Sequence, residues 1–115
     1  MSDCLQRYQV SAMETAKYPR EAAMEYLALG LCSEAGEVAG KIKKIIRDGD
    51  PSRDRQEIFA EQKEAILSEV GDCLWYVAML ALELNCTLEK LATDNLAKLS
   101  DRKFRGKISG DGDNR

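Results

Sequence analysis

Cys32-Ser33-Glu34-Ala35-Gly36-Glu37-Val38-Ala39-Gly40-Lys41 is the stretch on which the fold turns. At helical spacing Leu27, Leu31, Val38, Ile42 and Ile45 share one face, and Glu34 falls on that face between Leu31 and Val38. A glutamate therefore occupies a core-facing position. Glu37 follows one turn later, so two carboxylates are neighbours on the same side of a helix. Like charges that close call for a cation.

The pattern recurs in the second half of the chain. Between Val70 and Leu82 the only charge is Asp72, and Glu69 lies one turn before it. An ionised carboxylate buried alone in such a segment costs several kcal/mol, so it protonates, pairs or binds metal. Two acidic pairs on two packed helices supply up to four carboxylate ligands: Glu34, Glu37, Glu69 and Asp72. Hard oxygen donors of this kind suit Mg²⁺, with Mn²⁺ as a substitute.

Composition narrows the rest. The 115 residues make one domain; 44% are hydrophobic and 32% charged, there are two prolines, and the common residue types favour helix. A net charge of -3 leaves no electrostatic footprint for stable nucleic-acid binding. The chain has no histidine, and Cys4, Cys32, Cys73 and Cys86 form no C-x-x-C pair, so the usual zinc sites and every Ser-His or Cys-His nucleophile are excluded. Catalysis here would run on carboxylates, lysines and metal. No signal peptide is read at the start and no apolar run reaches the roughly 18 residues of a membrane span, so the expectation is a cytoplasmic protein with no membrane contact.

Four helices are predicted. The first covers 3–16, with Asp3 as cap and Leu5, Tyr8, Gln9, Ala12, Met13 and Ala16 on one side. Pro19 opens the second, over 20–47, in which Gly30, Gly36 and Gly40 serve either close helix packing or room for a ligand. The breaker-rich residues 48–54 form a surface loop. A calcium loop is rejected there, because Arg53 stands where glycine is required and Phe59 where a bidentate glutamate is required. A basic cluster of Lys43, Lys44, Arg47, Arg53 and Arg55 surrounds this loop. The third helix begins at 57 or 60, ends at 84, and is apolar around much of its circumference, the mark of a helix packed on several sides. Thr87 caps the fourth, whose buried stripe is read as Leu88, Leu91, Ala92, Asn95, Leu96 and Leu99, ending near residues 102–104. Domain residues 1–104 are followed by a flexible tail, 105–115.

Taken together, Glu34-Ala35-Gly36-Glu37 and Glu69-Val70-Gly71-Asp72 resemble the E-x-x-E…E-x-x-D pattern of the MazG-like all-α nucleoside triphosphate pyrophosphohydrolases. The resemblance spans nearly the whole chain, through Tyr8-Gln9, Leu29-Gly30-Leu31, Asp72-Cys73-Leu74-Trp75-Tyr76, Asn95-Leu96-Ala97-Lys98-Leu99 with Arg102, and Gly112-Asp113-Asn114-Arg115. One departure is the 31 residues between Glu37 and Glu69, which a longer loop around Pro51 would absorb. The resemblance implies an all-α, four-helix-bundle-like fold completed as a homodimer or homotetramer. It also implies Mg²⁺ on both acidic pairs and hydrolysis of a nucleoside triphosphate to monophosphate and pyrophosphate. Glu34 and Glu37 are the catalytic candidates, and all four acids are metal candidates. Asn95 and Lys98, then Lys44 and Arg102, are expected at the phosphates, and Gln9, Trp75 or Tyr76 at the base, with Trp75 read first as a core or subunit-interface residue. Relatives narrowed to dUTP, dCTP or phosphoribosyl-ATP remain open, as does a non-catalytic helical module that binds nucleotide or protein.

Overall fold

Helix α1 (Ser2–Ala12) runs into a 3-10 turn (Met13–Thr15), and a second such turn (Arg20–Ala22) leads into α2 (Ala23–Asp48). Helices α3 (Arg55–Glu83) and α4 (Leu88–Phe104) complete an all-α architecture, with no strand among the described residues. The structure is a computed structural model that describes residues 2–115, with side chains described from residue 4 onward. The capping role read for Asp3 lies outside the described side chains.

The longest helices, α2 and α3, form an antiparallel hairpin that dominates the packing. Residues 49–54 join them, and Asp54 caps α3 by accepting from the Gln56 N–H at 3.1 Å. Reading Asp54 as loop placed the start of α3 too late. The long spacing between the acidic pairs is thus absorbed by helix and not by the loop, so the hairpin continues well past the acids toward its tip. At the other end α3 closes with a Schellman arrangement: Cys86 N–H reaches Ala81 C=O at 2.8 Å, Asn85 N–H reaches Leu82 C=O at 3.0 Å, and Asn85 takes φ 56°. Thr87 then caps α4 through its hydroxyl and the Lys90 N–H at 3.0 Å.

The core lies where α1, α3 and the start of α4 meet α2, around Leu27, Ala78, Met79, Ala81 and Leu88. Gln9 pins this junction. Its side-chain amide donates to Ala78 C=O at 3.2 Å and Cys86 C=O at 3.1 Å, and accepts from Leu88 N–H at 3.2 Å, all while 3% exposed. Gly30 has the close-packing role, since a β-carbon there would overlap the Tyr76 ring. Gly36 and Gly40 face open space.

Three expectations need correction. The α4 stripe is not buried: Leu91, Leu96 and Leu99 are 42%, 67% and 41% exposed, and Ala92 and Asn95 are exposed with them. Beyond Leu88 the helix leaves α1 and the end of α3, so most of its apolar side has no neighbour within the protomer. Nor is α3 enclosed on several sides, because Leu67, Val70 and Leu74 are exposed. The radius of gyration, 17.6 Å, exceeds the value of about 13 Å for a compact chain of this size. Helix α3 also contains an 18-residue window of mean hydropathy 1.5, long and apolar enough by composition to cross a membrane, contrary to the sequence expectation. The apolar stretch at 65–82 holds two charges, Glu69 and Asp72, which direct it toward a polar neighbour on α2.

The tail, residues 105–115, contacts α4. It turns at Gly106 (φ 69°) and folds back on α4, where Asp113 accepts from Arg102 at 2.9 Å and Lys98 at 3.0 Å. Arg115 donates to the Gly112 and Ile108 carbonyls at 2.6 and 3.2 Å, closing the turn.

Replacing Gln9 by alanine takes the side-chain partner from the Cys86 C=O and the Leu88 N–H, each costing about 1–3 kcal/mol when buried and unsatisfied; the Ala78 C=O keeps its helical donor in α3. Urea unfolding of Gln9→Ala should show a lower midpoint with an unchanged m-value. A midpoint equal to wild type would contradict this structural role.

Candidate metal centre and its surroundings

Glu34 reaches the site from the middle of α2, and Glu69 and Asp72 from one side of α3. Each offers a carboxylate oxygen, and the three lie within 4.8 Å of one another. The antiparallel hairpin produces this convergence: Gly30 packs on Tyr76 one turn toward the core, which sets the register that places Glu34 opposite Asp72. Glu34 and Glu69 are half-buried and Asp72 is exposed, so the cluster opens to solvent on one side.

The surroundings of Glu34 favour its protonated form. Its carboxyl is raised above the ordinary range first by desolvation, then by a hydrogen bond shared with Glu69 and by the charges of Asp72, Glu69 and Glu37. The nearest cation is Lys41, whose Nζ lies 3.7 Å from Glu69 Oε1. Lys41 reaches across the hairpin to Glu69, although Glu37 stands one turn away on its own helix. Three hard oxygen donors with a single lysine partner fit a hard divalent cation. Glu37 is exposed on the next turn of α2 and does not join the three.

A niche of about 340 Å³ opens beside the acids, lined by Thr15, Glu34, Asp72, Trp75 and Tyr76. Trp75 Nε1 donates to Ala12 C=O at 3.1 Å and to Thr15 Oγ1 at 2.9 Å, which fixes its indole edge-on to the Tyr76 ring. Burial raises the Tyr8 phenol and the Asp72 charge adds to it, placing this α1 side chain near the cluster. Tyr8 and Thr15 were not assigned to the site from sequence. Their positions depend on how α1 crosses α3, and nothing local records that crossing.

The other predicted contacts fall elsewhere. Gln9 is withdrawn from base recognition, because its amide is buried and hydrogen-bonded at the core junction. Lys98 and Arg102 are both held by Asp113, and the Arg102 guanidinium is almost fully buried. Asn95 is exposed on α4, outside the niche. Lys44 lies ten residues beyond Glu34 along α2, about 15 Å away, and lines a separate cavity of about 440 Å³ near the hairpin tip.

A family model for the MazG nucleotide pyrophosphohydrolase domain matches residues 22–105. The gene 37 protein of Mycobacterium phage L5 is 43% identical over 114 residues, covering 94% of this chain and 96% of that protein. No solved structure matches the chain.

The raised proton affinity of Glu34 has a defined sign. Its folded form holds a proton at a pH where the unfolded chain has already lost it, so it costs stability as pH rises through and above the carboxylate range. Glu34→Gln removes that cost. The midpoint of the metal-free variant should equal or fall below wild type at acid pH and gain on it as pH rises toward neutral. A stability difference independent of pH would contradict the assignment.

Proposed function

Because the chain belongs to the MazG nucleotide pyrophosphohydrolase family, we propose that it hydrolyses nucleoside or deoxynucleoside triphosphates to the monophosphate and pyrophosphate in a Mg²⁺-dependent reaction that clears nucleotide pools. The observation that carries this reading is the convergence of Glu34, Glu69 and Asp72 within 4.8 Å across the hairpin. Mg²⁺ bound there, or Mn²⁺ in its place, would neutralise phosphate charge and lower the pKa of a water.

The side chains divide the remaining work. Glu69 and Asp72 hold the cation from α3, with Glu37 joining from α2. Glu34, whose carboxyl already binds a proton more readily than an ordinary glutamate, orients the attacking water and accepts its proton at a carboxylate oxygen. The Trp75 and Tyr76 rings offer a surface on which a base stacks. The half-open niche admits a base edge-on to solvent, an arrangement suited to broad base acceptance.

We also assign the working form to a homodimer or a pair of dimers. The exposed apolar residues of α3 and α4 on an extended protomer support this, because such patches on a helical hairpin ordinarily mark an interface. Placed against a second copy, α4 would bring Asn95 and Lys98 toward a partner.

Phosphorus NMR of the protein incubated with Mg²⁺ and a panel of ribo- and deoxyribonucleoside triphosphates tests the reaction. Monophosphate and pyrophosphate should appear together, and Asp72→Asn should slow their appearance by about a hundredfold or more with unchanged circular dichroism. Inorganic phosphate with diphosphate as the products, or full activity in Asp72→Asn, would overturn the proposal.

A further inference from the structure

Helix α1 and the turn that ends it lie before residues 22–105, the stretch that the family model matches, yet they supply a wall of the niche beside the acids. Thr15 is one of the five residues that line it, with Glu34, Asp72, Trp75 and Tyr76. Gln9 sets where this wall stands, because its three hydrogen bonds to Ala78, Cys86 and Leu88 tie α1 to α3 and to the start of α4. One turn of α3 before Ala78, Trp75 meets the end of α1.

Three groups close a ring of hydrogen bonds there. Thr15 Oγ1 donates to Ala12 C=O at 3.0 Å, and the Trp75 Nε1–H donates to that carbonyl at 3.1 Å and to Thr15 Oγ1 at 2.9 Å. A hydroxyl has one proton and two lone pairs, and an indole N–H can only donate. With its proton on Ala12, Thr15 meets the indole as the acceptor that tryptophan requires. Valine has nearly the same shape and would leave the indole with Ala12 alone. The donors of Trp75 and Thr15 are thus spent inside the protein, and no cation lines the niche among the described residues. What remains for a ligand is ring surface beside carboxylate.

Trp75 follows Asp72 by three residues on α3, so the two share one side of the helix about 5 Å apart along its axis. A planar group held on the indole is therefore set at a defined offset from the acids, and the indole is only as well placed as the hydrogen bonds that hold it. Resting on the pyrophosphohydrolase reading above, we propose that Thr15 is a positioning residue of the site: its hydroxyl locks the Trp75 indole, so that a substrate ring enters a preformed niche in register with the acidic cluster. Helix α1 is then part of the working site as well as of the core. A preformed wall removes the cost of ordering it when the ligand arrives. A wall whose hydrogen-bonding groups face inward meets a ring by its face instead of its edge, which agrees with broad base acceptance.

Thr15→Val removes the hydroxyl and keeps the shape, whereas Thr15→Ser keeps the hydroxyl. The chain has a single tryptophan, so the indole N–H gives one cross-peak in a ¹H–¹⁵N spectrum. In wild type and Thr15→Ser this proton should exchange slowly with water; in Thr15→Val the peak should shift and exchange faster. With Mg²⁺ and a triphosphate, Thr15→Val should raise KM by about three- to tenfold, the scale of one neutral hydrogen bond, while kcat changes by less than about twofold. Mg²⁺ affinity and circular dichroism should stay as in wild type, and Thr15→Ser should restore KM. Wild-type exchange and wild-type KM in Thr15→Val would overturn the assignment. So would lost Mg²⁺ binding, or a fall in kcat at constant KM, since either places the defect in the acids. An equal defect in Thr15→Ser would overturn it too, because the hydroxyl would not be the cause. If wild type releases no pyrophosphate from any triphosphate, the reaction assignment fails separately. The same comparison is then read from dissociation constants of the deoxynucleoside monophosphates, followed by Trp75 fluorescence, and equal constants in wild type and Thr15→Val would remove the positioning role.

Discussion

Mutual repulsion among Glu34, Glu69 and Asp72 is the constraint to which the rest of the structure answers. Three carboxylates within 4.8 Å are tolerated only because the helices bearing them are anchored on both sides. Toward the core, the Gly30–Tyr76 contact and burial of Leu27 and Met79 hold α2 to α3; toward the tip, Ile45 is buried beside Ile58. Lys41 offsets part of the charge from a partly exposed position, where a single ion pair contributes little. Positional strength therefore comes from apolar packing on either flank, and the acids are left with an unmet demand for positive charge.

The acids themselves were legible in sequence because a charge within an apolar run is a local signal, and Glu34 and Asp72 each interrupt one. The Thr87 cap was legible because a hydroxyl residue just before an apolar-periodic run is likewise a local signal. What escaped were features fixed by tertiary contacts. Gln9 looks like a polar group available to a ligand until three backbone partners from α3 and α4 are brought to it. Lys41 has a sound partner in Glu37 on its own helix, yet turns to Glu69 across the hairpin. Asp113 lies in a glycine-rich stretch that reads as flexible, and only the turn at Gly106 returns it to Lys98 and Arg102. Asp54 was hidden among breakers although it caps the longest helix.

The stripe on α4 shows a different limit. Its apolar periodicity is real, but the burial read from it is not found within the protomer, because periodicity does not record which neighbour, if any, a face meets. Within the protomer Leu91, Leu96 and Leu99 remain exposed, as do Leu67, Val70 and Leu74 on α3. The acidic cluster lies on the α2–α3 hairpin, and the outward face of α4 stands apart from it, uncovered within the protomer.

The most direct test of the acidic cluster as a cation site is calorimetric unfolding of the metal-free protein at increasing Mg²⁺. A cation that binds only the folded hairpin raises the unfolding temperature in proportion to the logarithm of its concentration once the site is saturated. The expected result is such a rise for wild type and its loss in Glu69→Gln, with the metal-free midpoint of the variant at or above wild type because one charge has left the cluster. An unfolding temperature that ignores Mg²⁺ through millimolar concentrations would contradict the assignment of these carboxylates to metal.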